Sequence, residues 1–185
     1  MKSCLLALAL TGIVLPQGTD SGPQYTSSNE LVRPENYREW IFLSSGLSMT
    51  YGPAAQANAG RPPLFDNVFV NPAAYKVFRE TGTWPDKTMF VLEIRRSKSE
   101  GSINKGGHFQ DEIAAIEVEV KDEKRFPKKW EFFGFDGEAK TAKPVSTTSC
   151  ITCHSTNGAV DNTFVQFYPT LSAIAKSKGT FKTTP

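Results

Sequence analysis

Two cysteines and a histidine stand together near the C-terminal end of the chain, in the run Cys150-Ile151-Thr152-Cys153-His154. Two thiols on a short turn can bond the two vinyl-derived carbons on one edge of a porphyrin. The next residue in line is an imidazole that can reach the iron from below. The spacing predicts a c-type haem, with Cys150 and Cys153 as thioether anchors, His154 as the proximal iron ligand, and one covalently attached haem per chain. Covalent attachment secures the imidazole against loss of the haem, and the axial histidine sets the electronics. Two other chemistries use such thiols. A redox dithiol of the thioredoxin kind needs a strand before it and a helix after it in a βαβ unit, which the flanking sequence does not offer. A zinc site needs further thiols or imidazoles, and His108 is the other histidine of the chain.

The rest of the ligand inventory restricts the far side of the iron. The methionines are Met1, Met49 and Met89, and no Met, His or Cys follows His154. Met89 falls in an apolar strand pattern, where packing is the ordinary role of the residue. His108 sits in a glycine-rich polar stretch, where a solvated imidazole is expected. The expected iron is five-coordinate, held by His154 with an open distal side. Such a site favours binding or transforming small molecules over plain electron transfer.

The elements that must position these residues are mostly strands. Phe65–Val70, Thr88–Arg95, Ile113–Val120 and Trp130–Phe135 each carry the β-branched and aromatic residues of a sheet. Asn71 with Pro72 opens a helix over Ala73–Thr81, and Gly82 closes it. A helix is also predicted at the start of Asn29–Gly46, from Pro34 and the spacing of Tyr37, Trp40 and Ile41. Gly52–Pro63 and Ser97–Gly107 read as loops. Polar residues 136–148 lead into the cysteine motif, and Phe164–Ala175 reads as a closing helix that Pro169 must either interrupt or begin. The order gives an α+β domain, a mainly antiparallel sheet with peripheral helices and the haem packed against the sheet.

Composition sets the class. The chain has 185 residues, 39% hydrophobic and 22% charged, which suits one domain with a sizeable core. A net charge of +2 gives no ground for a nucleic-acid or membrane-surface partner. Lys2 precedes an apolar run from Cys4 to Leu15, broken by Thr11 and Gly12. That run is far short of the ~20 residues of a membrane-spanning helix and has the length of a signal-peptide core. The expected organisation is a signal peptide over 1–18, an N-terminal extension over 19–35 and a haem domain over 36–185, in a periplasmic or otherwise exported protein. A buried N-terminal helix is the alternative.

Further residues extend the pattern. They include Asn36-Tyr37-Arg38-Glu39-Trp40, Val68-Phe69-Val70-Asn71-Pro72 with Tyr75, Thr81-Gly82 and Pro85-Asp86. Val120-Lys121-Asp122, Lys124-Arg125-Phe126, Trp130 and Asp161-Asn162-Thr163-Phe164 with Phe167-Tyr168-Pro169 follow in order. With the haem motif, these resemble the cytochrome P-460 / cytochrome c′-beta family. The resemblance implies an antiparallel sheet, a homodimer, a periplasmic setting and a five-coordinate iron. Members that oxidise hydroxylamine carry a lysine bonded to the porphyrin, and the resemblance places that position at Leu92, six residues beyond Asp86. The nearest lysines are Lys87, expected to face the other side of the strand, and Lys98, in the following loop. This departure moves the chain toward the c′-beta branch, whose members look like gas-binding proteins with an apolar distal pocket. Glu117 points the other way, because it occupies the place of the distal glutamate that oxidising members use as a proton relay. Its alternation with Glu119 and Lys121 equally fits a solvated strand face.

Leu92 and Phe90 are the first candidates for the distal wall, and Phe65, Phe69 and Phe133 are others. Lys121-Asp122 is expected to shape a turn. The sequence supports a haem protein that binds nitric oxide or carbon monoxide. Alternatively, the chain is an oxidoreductase of hydroxylamine or a related nitrogen compound, or a peroxidase, with Glu117 as base. A plain electron carrier is disfavoured, because the chain offers no Met or His after the haem motif as a sixth ligand.

Overall fold

The computed structural model describes residues 22–50, 61–145 and 148–183. The anticipated signal peptide and most of the loop expected at 52–63 lie outside them. Four of the strands fall where the sequence places them, two of them longer than expected: β3 (Phe65–Val70), β4 (Met89–Lys98), β5 (Phe109–Lys121) and β6 (Trp130–Phe135). Pairing of β4 with β5 draws Ser97 and Lys98, expected in a loop, into the strand. They form one antiparallel sheet of five strands in the order β2-β3-β4-β5-β6, with β2 at Ile41–Leu47. A second, two-stranded sheet joins β1 (Leu31–Val32) to β7 (Thr141–Ala142). Leu31 is fully buried, which ties the segment before residue 36 into the core. The architecture is α+β.

Strand β2 corrects a sequence expectation. The Tyr37, Trp40, Ile41 spacing suggests a helix, but only Tyr37–Glu39 forms one 3₁₀ turn, and Trp40 is already extended. From Ile41 the backbone groups pair with β3, with a bulge between Phe42 and Ser44. Pairing with a distant strand outweighs the weak local preference. Helix α1 (Pro72–Thr81) begins with proline in its first turn and ends at Gly82, whose φ of 76° is the left-handed cap. Helix α2 (Thr148–Asn157) carries the cysteine motif, so the thiols lie on a helix rather than a short turn. Helix α3 (Pro169–Ser177) follows a 3₁₀ turn at Val165–Phe167.

Alternation divides the large sheet into two faces. On one, Met89, Val91, Val118, Val120, Phe133 and Phe135 pack with Tyr37, Phe69 and Phe126. On the other, Val70 and Phe90 pack with Trp84, Trp130, Tyr168 and the inner residues of α1 and α3. Beyond that second cluster the same face opens into a cavity. Among the described residues no helix is long and apolar enough to cross a membrane.

Candidate haem-binding site

The cavity encloses about 1080 Å³, just above the roughly 300–1,000 Å³ usual for ligand sites. Its floor is the sheet. Register sets Val68 beside Leu92, Leu92 beside Glu117 and Glu117 beside Gly134. One step along the strands, Phe90 stands beside Glu119 and Glu119 beside Phe132. All of these line the cavity.

Helix α2 forms a second wall. Cys150, Cys153 and His154 are spaced i, i+3 and i+4, which puts them on one helix face, and all three border the cavity. Neither thiol is in a disulfide. The His154 ring sits between Phe132 and Phe164, at centroid distances of 4.6 and 4.4 Å. Its Nδ1 lies 3.1 Å from the carbonyl oxygen of Asn162 and 3.3 Å from Oε1 of Glu119. The carbonyl cannot donate, so the hydrogen rests on Nδ1 and Nε2 keeps the lone pair that binds a metal.

Two thiols and a ligation-ready imidazole on the wall of a large, mainly apolar cavity fit a haem. Among the described residues no group of three or more His, Cys, Asp and Glu converges as a metal site, and His108 is exposed away from the cavity. The zinc alternative finds no ligand set there.

Burial sets the electrostatics. It raises the pKa of Glu117, against the pull of His154. It also raises that of Glu119, with the neighbouring imidazole opposing. Asp66, another wall residue, is pushed up to about 6 by burial and then by the Glu117 charge. Burial works to lower the His154 pKa, but the Glu119 carboxylate and the Asn162 carbonyl carry it above the ordinary value.

The sequence candidates divide. Leu92, Phe90 and Glu117 are brought together at the cavity. Phe65 and Phe69 are not, because they alternate with the wall residues Asp66 and Val68 and face the opposite side. Phe133 borders the cavity, but its ring packs in the opposite core against Phe126. The solvated-face reading of β5 also fails at two positions, since Glu119 meets His154 and Lys121 is buried. Asp122 does shape a turn, accepting from the backbone N–H groups of Arg125 and Phe126 through its side chain and carbonyl respectively. Lys87 pairs with Asp122 and Lys98 with Asp111, both away from the cavity. Met49 is a wall residue that sequence reasoning did not select. Its side chain lies over Gly46, where an added Cβ would collide with the sulfur.

The sheet, the cavity and the Cys-x-x-Cys-His helix together have the features of a haem-binding c-type cytochrome. A family model described as Cytochrome P460 matches residues 34–165, and the chain belongs to the cytochrome P460 family. No curated protein matches it.

Proposed function

We propose that this chain is an exported, periplasmic cytochrome that captures nitric oxide or carbon monoxide at a five-coordinate iron. Cys150 and Cys153 hold one haem covalently, and His154 is its axial ligand. When bound, the haem supplies an iron with one open coordination position. The carrying observation is Leu92, an aliphatic side chain on the cavity wall where the resemblance places the cross-linking lysine of hydroxylamine-oxidising members. Val68 beside it and Ile94 further along β4 extend the apolar surface. A neutral diatomic enters such a surface without needing a hydrogen bond, whereas a hydrated ion loses solvation without replacement. The ion-paired Lys87 and Lys98 leave the Leu92 position without a lysine substitute. The resemblance brings a homodimer into the same reading.

Glu117 favours a second reading. It lies beside Leu92 on the cavity wall with a raised pKa, so it could serve as a base in oxidising hydroxylamine or a related nitrogen compound, or in peroxidation. A positioned base contributes roughly 10²–10⁴-fold. The test compares hydroxylamine oxidation with an artificial acceptor in the unmutated protein and Glu117→Gln, alongside nitric oxide binding by the ferrous form. Gas capture predicts negligible turnover in both and intact binding. Robust turnover that collapses in the variant would replace the binding protein with an enzyme.

A further inference from the structure

Lys121 at the end of β5, and Asp161 and Thr163 on either side of Asn162 after the cysteine helix, remain without a role in gas capture. The structure joins them. Lys121 is 6% exposed, and its Nζ donates to Oδ2 of Asp161 at 2.5 Å and to the carbonyl of Trp84 at 2.7 Å. Trp84, itself 2% exposed, donates from Nε1 to Oγ1 of Thr163 at 2.8 Å. The residues on either side of Asn162 are thus held by one connected pair, Lys121 and Trp84.

Between them the backbone turns tightly. Val160 and Thr163 form an antiparallel bridge, and Asp161 and Asn162 have φ of 47° and 63°. Positive φ at both central residues is the signature of a type I′ turn, which Asp and Asn tolerate better than other side chains. The turn presents the Asn162 carbonyl to His154 Nδ1.

We propose that Lys121 and Trp84 are positioning residues for the axial histidine: by clamping Asp161 and Thr163 they fix the Asn162 carbonyl on Nδ1 and so set the ring's orientation and electron donation. This rests on the reading of His154 as iron ligand. An acceptor on the outer nitrogen of a ligating imidazole fixes its tautomer and raises its basicity, and loss of such a partner commonly costs about 10–100-fold in metal affinity or activity. The clamp acts one residue removed from the acceptor, so a smaller effect follows, on the order of five- to tenfold, comparable to one hydrogen bond. Lys121 and Glu119 occupy the same face of β5, so one strand reaches the imidazole directly and through the turn.

The test uses the full-length haem-loaded protein carrying Lys121→Met, Lys121→Arg or Trp84→Phe. Resonance Raman of the ferrous form reports the iron–histidine stretch, and stopped-flow with nitric oxide reports the rate of conversion from six- to five-coordinate iron. The stretch should fall in frequency in Lys121→Met and Trp84→Phe, with conversion about five- to tenfold faster, and Lys121→Arg should restore both. Glu93→Gln, on the opposite face of the sheet, controls for general destabilisation and should leave both readouts in place. An unchanged stretch and conversion rate in folded Lys121→Met and Trp84→Phe would overturn the proposal. Trp84→Phe decides alone if Lys121→Met does not accumulate. Absence of an iron–histidine stretch in the unmutated protein would instead overturn the assignment of His154.

Discussion

Gly158 offers a sharp perturbation of this site. It immediately follows α2, and its N–H donates to the carbonyl of His154 at 2.8 Å. A Cβ added there would stand 2.5 Å from the Asn162 carbonyl carbon, 2.6 Å from the His154 oxygen and 2.8 Å from the Thr163 nitrogen. All three are backbone atoms, so no side chain can swing aside, and the turn must move away from the helix. Forced overpacking costs about 1–3 kcal/mol, and weakening one or two hydrogen bonds in the move adds about 1 kcal/mol each. Taking ~3 kcal/mol in all, and about 2–4 °C per kcal/mol for a chain of this size, Gly158→Ala should lower Tm by roughly 6–12 °C. The assay is thermal unfolding of the haem-loaded protein followed by circular dichroism, with the iron–histidine stretch recorded on the folded form. A Tm within about 2 °C of the unmutated protein would refute the steric argument. A large fall in Tm with an unmoved stretch would detach the turn from the ligand.

Cys150→Ala combined with Cys153→Ala should yield haem that acid–organic solvent extracts, while the unmutated protein keeps it and its intact mass equals the mature chain plus one ordinary haem. Ferrous iron should be high-spin in the resting protein; a low-spin spectrum that Met49→Leu abolishes would show the wall methionine as a sixth ligand. Glu93, 1% exposed, accepts from Tyr37 and Arg95 at 2.5 and 2.6 Å, and from Arg38 and Asn67. Removing its charge should cost about 3 kcal/mol, read as lower Tm in Glu93→Gln. Burial tends to raise its pKa, but Arg95, Tyr37, Asn67 and Arg38 bring it below the ordinary 4.5. Its stabilisation is therefore present above pH 4.5 and lost as pH falls through the folded value, so the gap between variant and unmutated protein should narrow below about pH 4.5.

Local chemistry made much of this fold legible. Strands β3 to β6 alternate apolar and polar residues or carry β-branched or aromatic runs, α1 has proline at its start and glycine at its end, and the cysteine motif is self-contained. Strand β2 was hidden because Ser44, Ser45 and Gly46 dilute its pattern while Tyr37, Trp40 and Ile41 mimic helical spacing. Strands β1 and β7 have two residues each, too few to show a period. In the site, Leu92, Phe90 and Glu117 could be selected from strand alternation with the family pattern. The partners of His154 could not, because Glu119 and Asn162 meet it only after β5, α2 and the following turn assemble. Phe65 and Phe69 show the opposite error, since an aromatic ring in a strand says nothing about which of two apolar faces it joins.

Strand β4 has a consequence for how reactivity can diverge within one scaffold. Leu92 looks into the cavity, while Val91 and Glu93 on either side of it belong to the core and polar network behind the sheet. A substitution at position 92 therefore changes the cavity wall while the supporting residues behind the sheet keep their partners. The wall of the chamber can vary there by one codon replacement, with the architecture inherited intact.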